Sequence, residues 1–302
     1  KKMLVLKIEK WIARDLAEYY YQLRGTAVRW LETQAKFLEM NAAALESGQA
    51  GLILDTDQIR IVFDPYLSNY VVDSGIGSAE LFSRSFLPPV KAEDLSGIDV
   101  VFISHDHADH CDPDTLLPLY KTNPELRFIC PRPVANHLQV LGIQNRSILV
   151  PQILELQSLP GLEFHALPAA HYGFDRDMET REYAYFGFVV KTAGRILFHA
   201  GDTISYPEFA ANILKHSDHV DIACLPVNGR DEKRENMGIV GNLDGVEAYS
   251  LAKELKSRVL IPMHNDLFSF NSADPHVLND LVQREEEPVK LQWMKPGGKF
   301  VD

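Results

Sequence analysis

The sequence predicts an α/β (α+β) layered domain over residues 46–302, preceded by an N-terminal helical extension over residues 1–45. Three observations carry this. Short apolar runs rich in Val, Ile, Leu and Phe recur along the chain, as buried strands require. Helix-length stretches separate several of these runs on both halves, the pattern of sheets layered with helices. Histidines and aspartates follow many of the runs directly, so strand ends present them together.

In order along the chain, Ile8, Trp11, Ile12, Leu16, Tyr19, Tyr20 and Leu23 recur at helical spacing, and Gly25 breaks the run. A second helical run carries Ala27, Trp30, Leu31 and Leu38. Its apolar stripe packs on the main domain or forms a contact between copies, a homo-oligomer. From Gly48 the pattern changes. Residues 51–55 and 59–65 read as strands joined by a turn. Residues 68–97 read as a long loop, which in a compact domain is usually functional or mobile. Strands follow at 100–103, 127–130, 147–150 and 162–167, with helices from Pro113 and over 134–141. Residues 183–191 and 195–200 pair about Thr192-Ala193-Gly194. Late buried strands at 222–226 and 258–262 flank a helix at 245–255, and residues 290–300 close with a strand and a turn.

Composition narrows the function. The chain has 302 residues, 46% hydrophobic and 24% charged, ample for a large core. Its formal net charge of -12 argues against wrapping long nucleic acid, which needs a basic surface. A small anionic substrate held by a few local cations remains compatible. Cys111, Cys130 and Cys224 form no CxxC pair, which fits a reducing compartment. No apolar run approaches the ~18 residues of a membrane span, and Met3-Leu4-Val5-Leu6 is too short for a signal sequence. The expectation is a cytoplasmic protein with no membrane partner.

The densest chemistry lies in Ser104-His105-Asp106-His107-Ala108-Asp109-His110, after the strand at 100–103. Further candidates are Asp64 after Val62-Phe63, His171 after Ala169-Ala170, Asp202 after Ala200-Gly201, and His264 after Pro262-Met263. Neutral imidazole binds divalent ions well, and a carboxylate can bridge two. His105 and His107 can face one ion, while Asp109 and His110 face a neighbour. Two ions ~3.5 to 4 Å apart lower the pKa of bound water toward about 7, giving a nucleophile at neutral pH.

His105-x-His107-x-Asp109-His110, followed by His171, Asp202 and His264, resembles the metallo-β-lactamase superfamily over roughly residues 46 to 300. The resemblance implies a four-layer αβ/βα sandwich with its site at one edge of two sheets. It implies His105, His107 and His171 on one metal, Asp109, His110 and His264 on the other, and Asp202 between them. Asp64 would orient a ligand histidine. Phe198-His199-Ala200-Gly201-Asp202-Thr203, the segment from Ile261 to Phe268, Phe174-Asp175-Arg176 and Pro296-Gly297-Gly298-Lys299-Phe300 are similar to the L-ascorbate 6-phosphate lactonase branch. Leu45-Glu46-Ser47-Gly48 departs from that branch's aromatic-Leu-Gly strand start. His171 stands where the lactonase tends to lack histidine, and the loop from Asn228 to Asn242 differs as well.

The expected activity is hydrolysis of a small anionic, phosphorylated lactone or ester, with two divalent ions, zinc or manganese or else iron. Asp109 orients the nucleophile and shuttles its proton, and His264 completes the catalytic pair. The alternatives are a phosphodiesterase acting on small nucleotides or RNA, and a non-catalytic assembly protein with structural metals. Arg230, Lys233 and Arg234 form a candidate clamp for the substrate anion, although Asp231, Glu232 and Glu235 among them also suit a self-paired surface run. Arg176 and Asn265 are further candidates for the substrate pocket. His199 either lines the site or packs in its strand. Asp106 and Asp112 suit solvated or capping roles.

Overall fold

The computed structural model describes residues 42–301. The helical extension, and the oligomer contact expected of it, lie outside these residues except at 42–45. There the helix expectation fails, because Ala42–Gly48 is a strand, β1. It pairs antiparallel with β2 (Gly51–Thr56) through a tight turn at Gln49-Ala50. Gly48 has φ 97° and Gln49 φ 59°, the left-handed geometry that closes such hairpins. A one-residue register shift between Glu46 and Gly48 accompanies the turn.

The first sheet has the order β14-β1-β2-β3-β4-β5-β6. Its other strands are β3 (Arg60–Phe63), β4 (Val100–Phe102), β5 (Arg127–Ile129), β6 (Ile148–Leu149) and β14 (Lys299–Val301). The second sheet has the order β13-β12-β11-β10-β9-β8-β7. It contains β7 (Gln157–Leu159), β8 (Leu162–Pro168), β9 (Phe186–Thr192), β10 (Arg195–His199), β11 (Ile222–Pro226), β12 (Val259–Met263) and β13 (Lys290–Leu291). One apolar core joins the sheets: Phe102 of the first lies 5.5 Å from Phe164 and 4.9 Å from Phe188 of the second, ring to ring. The strands' opposite faces are buried too, at Val62, Val101 and Phe128, which explains their unbroken apolar runs.

Of the helices, α1 (Tyr70–Asp73) and α2 (Ala79–Phe82) are single turns within the segment expected to be a loop. Next come α3 (Pro113–Thr122), α4 (Arg132–Val140), α5 (Phe209–Ile213), α6 (Glu232–Glu235), α7 (Gly245–Glu254) and α8 (Pro275–Gln283). Asp112 caps α3, accepting from Asp114 N–H at 2.9 Å beside Pro113 at the first helical position. Asp244 and Glu247 form a reciprocal capping box on α7.

Strand direction positions the site. β3 and β4 run parallel. β10, β11 and β12 also run parallel, and β8 shares their direction because two antiparallel pairings separate it from β10. The loops after β3, β4, β8, β10 and β12 therefore leave the carboxyl ends of their strands, where open α/β sheets gather ligands. Among the described residues no helix is long and apolar enough to cross a membrane.

Candidate metal centre

Asp64, immediately after β3, organises the first half of the site. Its Oδ1 accepts from the Ser104 backbone N–H at 2.7 Å. Its Oδ2 accepts from Ser104 Oγ at 2.6 Å and from His110 Nδ1 at 3.0 Å. The Ser104 hydroxyl proton is thus committed, so Ser104 Oγ accepts from His105 Nδ1, 2.8 Å away. Both rings then turn Nε2 away from Asp64 and into the site. Sequence reasoning anticipated Asp64 but assigned no task to Ser104. The signal was available in a serine placed between a buried strand and a histidine cluster.

Gly201 lets the second sheet approach. A Cβ there would lie 2.6 Å from Ser104 Cβ and 2.9 Å from the Phe186 carbonyl, and its φ is 60°. Asp202 follows, buried, with Oδ1 3.4 Å from His110 Nε2 and Oδ2 3.2 Å from His264 Nε2. His264, also in the left-handed region at φ 59°, is held by its backbone N–H donating to the Gln49 carbonyl at 2.7 Å.

The ligand atoms of His105, His110 and Asp202 lie within 4.8 Å of one another, and so do those of Asp109, His110 and His264. The second group matches the set expected for one metal. The other expected set gathers more loosely: the His107 ring lies 4.5 Å from His105 and 5.3 Å from His171, centroid to centroid. Tyr185, missed by sequence reasoning, stands among these rings. It stacks 4.9 Å from His105 and lies 5.1 Å from His171, with its hydroxyl 3.2 Å from His107 Nε2. That contact leaves His107 Nδ1 for an ion.

Among the described residues His105 Nε2, His110 Nε2, His171 Nδ1 and Asp202 Oδ1 are buried donor or acceptor atoms with no hydrogen-bond partner. Such orphans are costly unless something fills them, and imidazole with carboxylate is the donor chemistry of divalent Zn, Mn or Fe. The residues present fit a metal. Electrostatics agree. Burial, with His110 and His107 nearby, holds the His105 imidazole well below its ordinary range, hence neutral. Burial likewise takes His171 down to about 4, against the pull of Asp202. For Asp202 burial works against the charge, but His264 and His110 outweigh it and hold the carboxyl well below the usual range. Burial also disfavours a charged His110, yet Asp202, Asp109 and Asp64 push it up to about 10. That surplus of negative charge is what a cation would neutralise.

The centre opens into a cleft of about 310 Å³. His107, Asp109, His171, Asp202, His264 and Asn271 supply its polar side; Val71, Ile76, Phe82, Ile239, Val240 and Phe268 supply much of an apolar wall. The segment at 68–97, expected as loop, therefore contributes to the cleft. Of the expected anion clamp, Arg234 reaches the cleft's edge, its Nη1–H donating to Asn271 Oδ1 at 2.7 Å, whereas Arg230 and Lys233 do not line the cleft. Arg230 is paired bidentately with Glu247 at 2.6 and 2.7 Å, because the capping box of α7 presents that carboxylate. Lys233 is exposed on α6. Arg176 lines a different cavity, where its Nε–H donates to the Arg181 carbonyl at 2.6 Å and its guanidinium lies over Tyr183. Asn265 is not among the cleft-lining residues. His199 packs in its strand: Nε2–H donates to the Ala50 carbonyl at 2.8 Å, and the ring stacks on Phe63. Asp106 is exposed, as expected.

Two facing sheets gather histidines and aspartates at one edge, in groups that could hold a metal ion. Residues 60–265 match the family model described as "Beta-lactamase superfamily domain", and the chain belongs to that superfamily. It is 25% identical, over 83% of its length and 95% of the relative's, to a "UPF0173 metal-dependent hydrolase" of Hyperthermus butylicus. It is also 25% identical to the "Probable L-ascorbate-6-phosphate lactonase UlaG" of Salmonella choleraesuis, covering 67% of this chain and 60% of that one. Among solved structures, Igni18, a metallo hydrolase of Ignicoccus hospitalis, superposes with a TM-score of 0.61 at 22% identity. That match covers 86% of this chain and 97% of Igni18. The chain is thus similar to proteins described as metal-dependent hydrolases within this superfamily.

Proposed function

We propose that the protein is a two-metal hydrolase of small lactones or carboxylic esters carrying an apolar portion, using zinc, manganese or iron. The observation that carries this reading is the pair of ligand groups overlapping at His110, with buried donor atoms left unpartnered around Asp202. His105, His107 and His171 would hold one ion, Asp109, His110 and His264 the other, and Asp202 would lie between them. Bound divalent ions supply Lewis acidity and a water made acidic near neutral pH.

The chain's own groups do the rest. Asp109, half-buried at the cleft, orients the attacking water and accepts its proton. His264 faces the same cleft beside Asp202 and helps fix where the scissile group sits. Val71, Phe82, Ile239 and Phe268 exclude bulk water and give an acyl or alcohol portion an apolar surface. This wall suits an apolar portion; Arg230, Lys233 and Arg176 do not line the cleft, and Arg234 meets it only through Asn271, to whose Oδ1 its Nη1–H donates at 2.7 Å.

Mass spectrometry of the purified protein, followed by a substrate panel, tests this reading. The panel holds alkyl lactones of rising chain length, aryl esters, a phosphorylated lactone and bis-p-nitrophenyl phosphate. The expected result is bound divalent metal and a kcat/KM that rises with alkyl length on lactones or esters. His107→Ala and Asp202→Ala should abolish the activity. Faster turnover of the phosphodiester would replace the carbon-ester reading with a phosphodiesterase. Failure to bind any divalent ion would remove the metal centre.

A further inference from the structure

The two groups of ligand atoms differ in what satisfies them. Around the first position, His105 Nε2, His171 Nδ1 and Asp202 Oδ1 have no hydrogen-bond partner. At the second, two of the three ligand atoms are already engaged by one side chain from outside the histidine cluster. Gln49 Nε2 donates to Asp109 Oδ2 at 2.7 Å and lies 3.0 Å from His264 Nε2. Gln49 is buried, and the β1–β2 turn places it there at φ 59°. Its carbonyl accepts from the His264 backbone N–H, so the turn and the ligand move as one unit. An ion using Asp109 and His264 together needs the directions this carboxamide now takes.

We propose that Gln49 is an internal stand-in for the second ion. Its carboxamide keeps Asp109 and His264 in position and competes with the cation for both. The two positions therefore fill in sequence, the first tightly and the second weakly, and the second ion exchanges with the medium. The inference rests on the two-metal reading above. The cost to the second ion follows from competition: a site that is open only part of the time binds with an affinity reduced by that fraction. A hydrogen bond to a charged carboxylate is strong enough to make the reduction roughly tenfold.

The test is stepwise titration of the full chain with Zn²⁺ and with Mn²⁺ by calorimetry, with stoichiometry read by native mass spectrometry. Gln49→Ala removes the carboxamide. Gln49→Asn keeps a residue that tolerates the left-handed region but withdraws the amide by one methylene, which guards against a misfolded turn. The expected result in both variants is a second step at least about tenfold tighter, with the first step unchanged. A weaker second step would mean that the carboxamide is a ligand, and overturns the proposal. An unchanged second step, or equal weakening of both steps, also overturns it while leaving two metals in place. One ion at most in every protein would overturn the two-metal reading, and this inference with it.

Discussion

His110 Nδ1 meets Asp64 Oδ2 at 3.0 Å, so a carboxylate from the end of one strand fixes the tautomer of a histidine on the loop after the next. The same carboxylate reaches His105 through Ser104 Oγ. In Asp64→Asn one oxygen can still take the Ser104 backbone N–H, but the amide NH₂ then faces the ring. His110 Nδ1 must become an acceptor and Nε2 must carry the proton, which is the wrong form for a metal. Isothermal titration should show ion affinity about 10- to 100-fold weaker in this variant. Unaltered affinity would show that Asp64 is only a structural partner.

Tyr185→Phe separates packing from polarity. The ring that stacks on His105 remains, and only the hydroxyl 3.2 Å from His107 Nε2 is lost. Burial pushes this phenol up to about 12, so it stays neutral and can accept from Nε2–H while His107 Nδ1 faces an ion. The expected outcome is an unchanged melting temperature with first-ion affinity about tenfold weaker, the low end of what lost ligand support costs. A melting temperature that falls while affinity holds would assign the hydroxyl to folding instead.

Most of the sheet elements, and the histidines and aspartates that follow them, were legible because both depend on local pattern. Val100-Val101-Phe102 is buried on both faces and carries His105, His107, Asp109 and His110 at its end. Gln49, Ser104 and Tyr185 were not assigned roles, because each acts through a partner far away in sequence or through a tautomer that only the assembled site defines. Gln49 meets Asp109 across sixty positions of sequence. For Arg230 the sequence left a clamp and a self-paired run open, and the pairing partner is distant: Glu247, seventeen residues on, holds the guanidinium. The strand at Ala42–Gly48 was partly hidden by alanines, which favour helix locally, whereas pairing with β2 and β14 decides the conformation.

Gly201 joins the sheets at the site, and Gly201→Ala should show how tightly. The added Cβ would lie 2.6 Å from Ser104 Cβ and 2.9 Å from a backbone oxygen, in a left-handed conformation that disfavours any side chain. Overpacking and backbone strain together should cost about 3 kcal/mol, measured by urea denaturation. Ion affinity should fall as well, because Ser104 and the adjacent Asp202 are displaced together. A loss below about 0.5 kcal/mol would mean that the loops separate freely.

Acid should weaken the fold through His165, a buried strand residue remote from the ligand set. Its Nε2–H donates to the Asn212 carbonyl at 3.1 Å, and its ring lies 4.9 Å from that of His216. Burial, aided by His216 and Lys215 against the Asn212 carbonyl, lowers it to about 4. An unfolded histidine titrates near 6.5. Above that pH the ring is neutral in both states and the full stability is present. As pH falls from about 6.5 to 4 the unfolded chain takes the proton and the folded chain does not, so stability drops. Below about 4 both are protonated and the loss stops, at a total of about 3 kcal/mol. His165→Gln retains a donor for the Asn212 carbonyl and removes the titration. Urea unfolding at pH 7 and pH 5 should then show the variant losing about 2 kcal/mol less than the parent on acidification. Equal losses in the two proteins would place the acid sensitivity elsewhere, with buried His199 as the next group to replace.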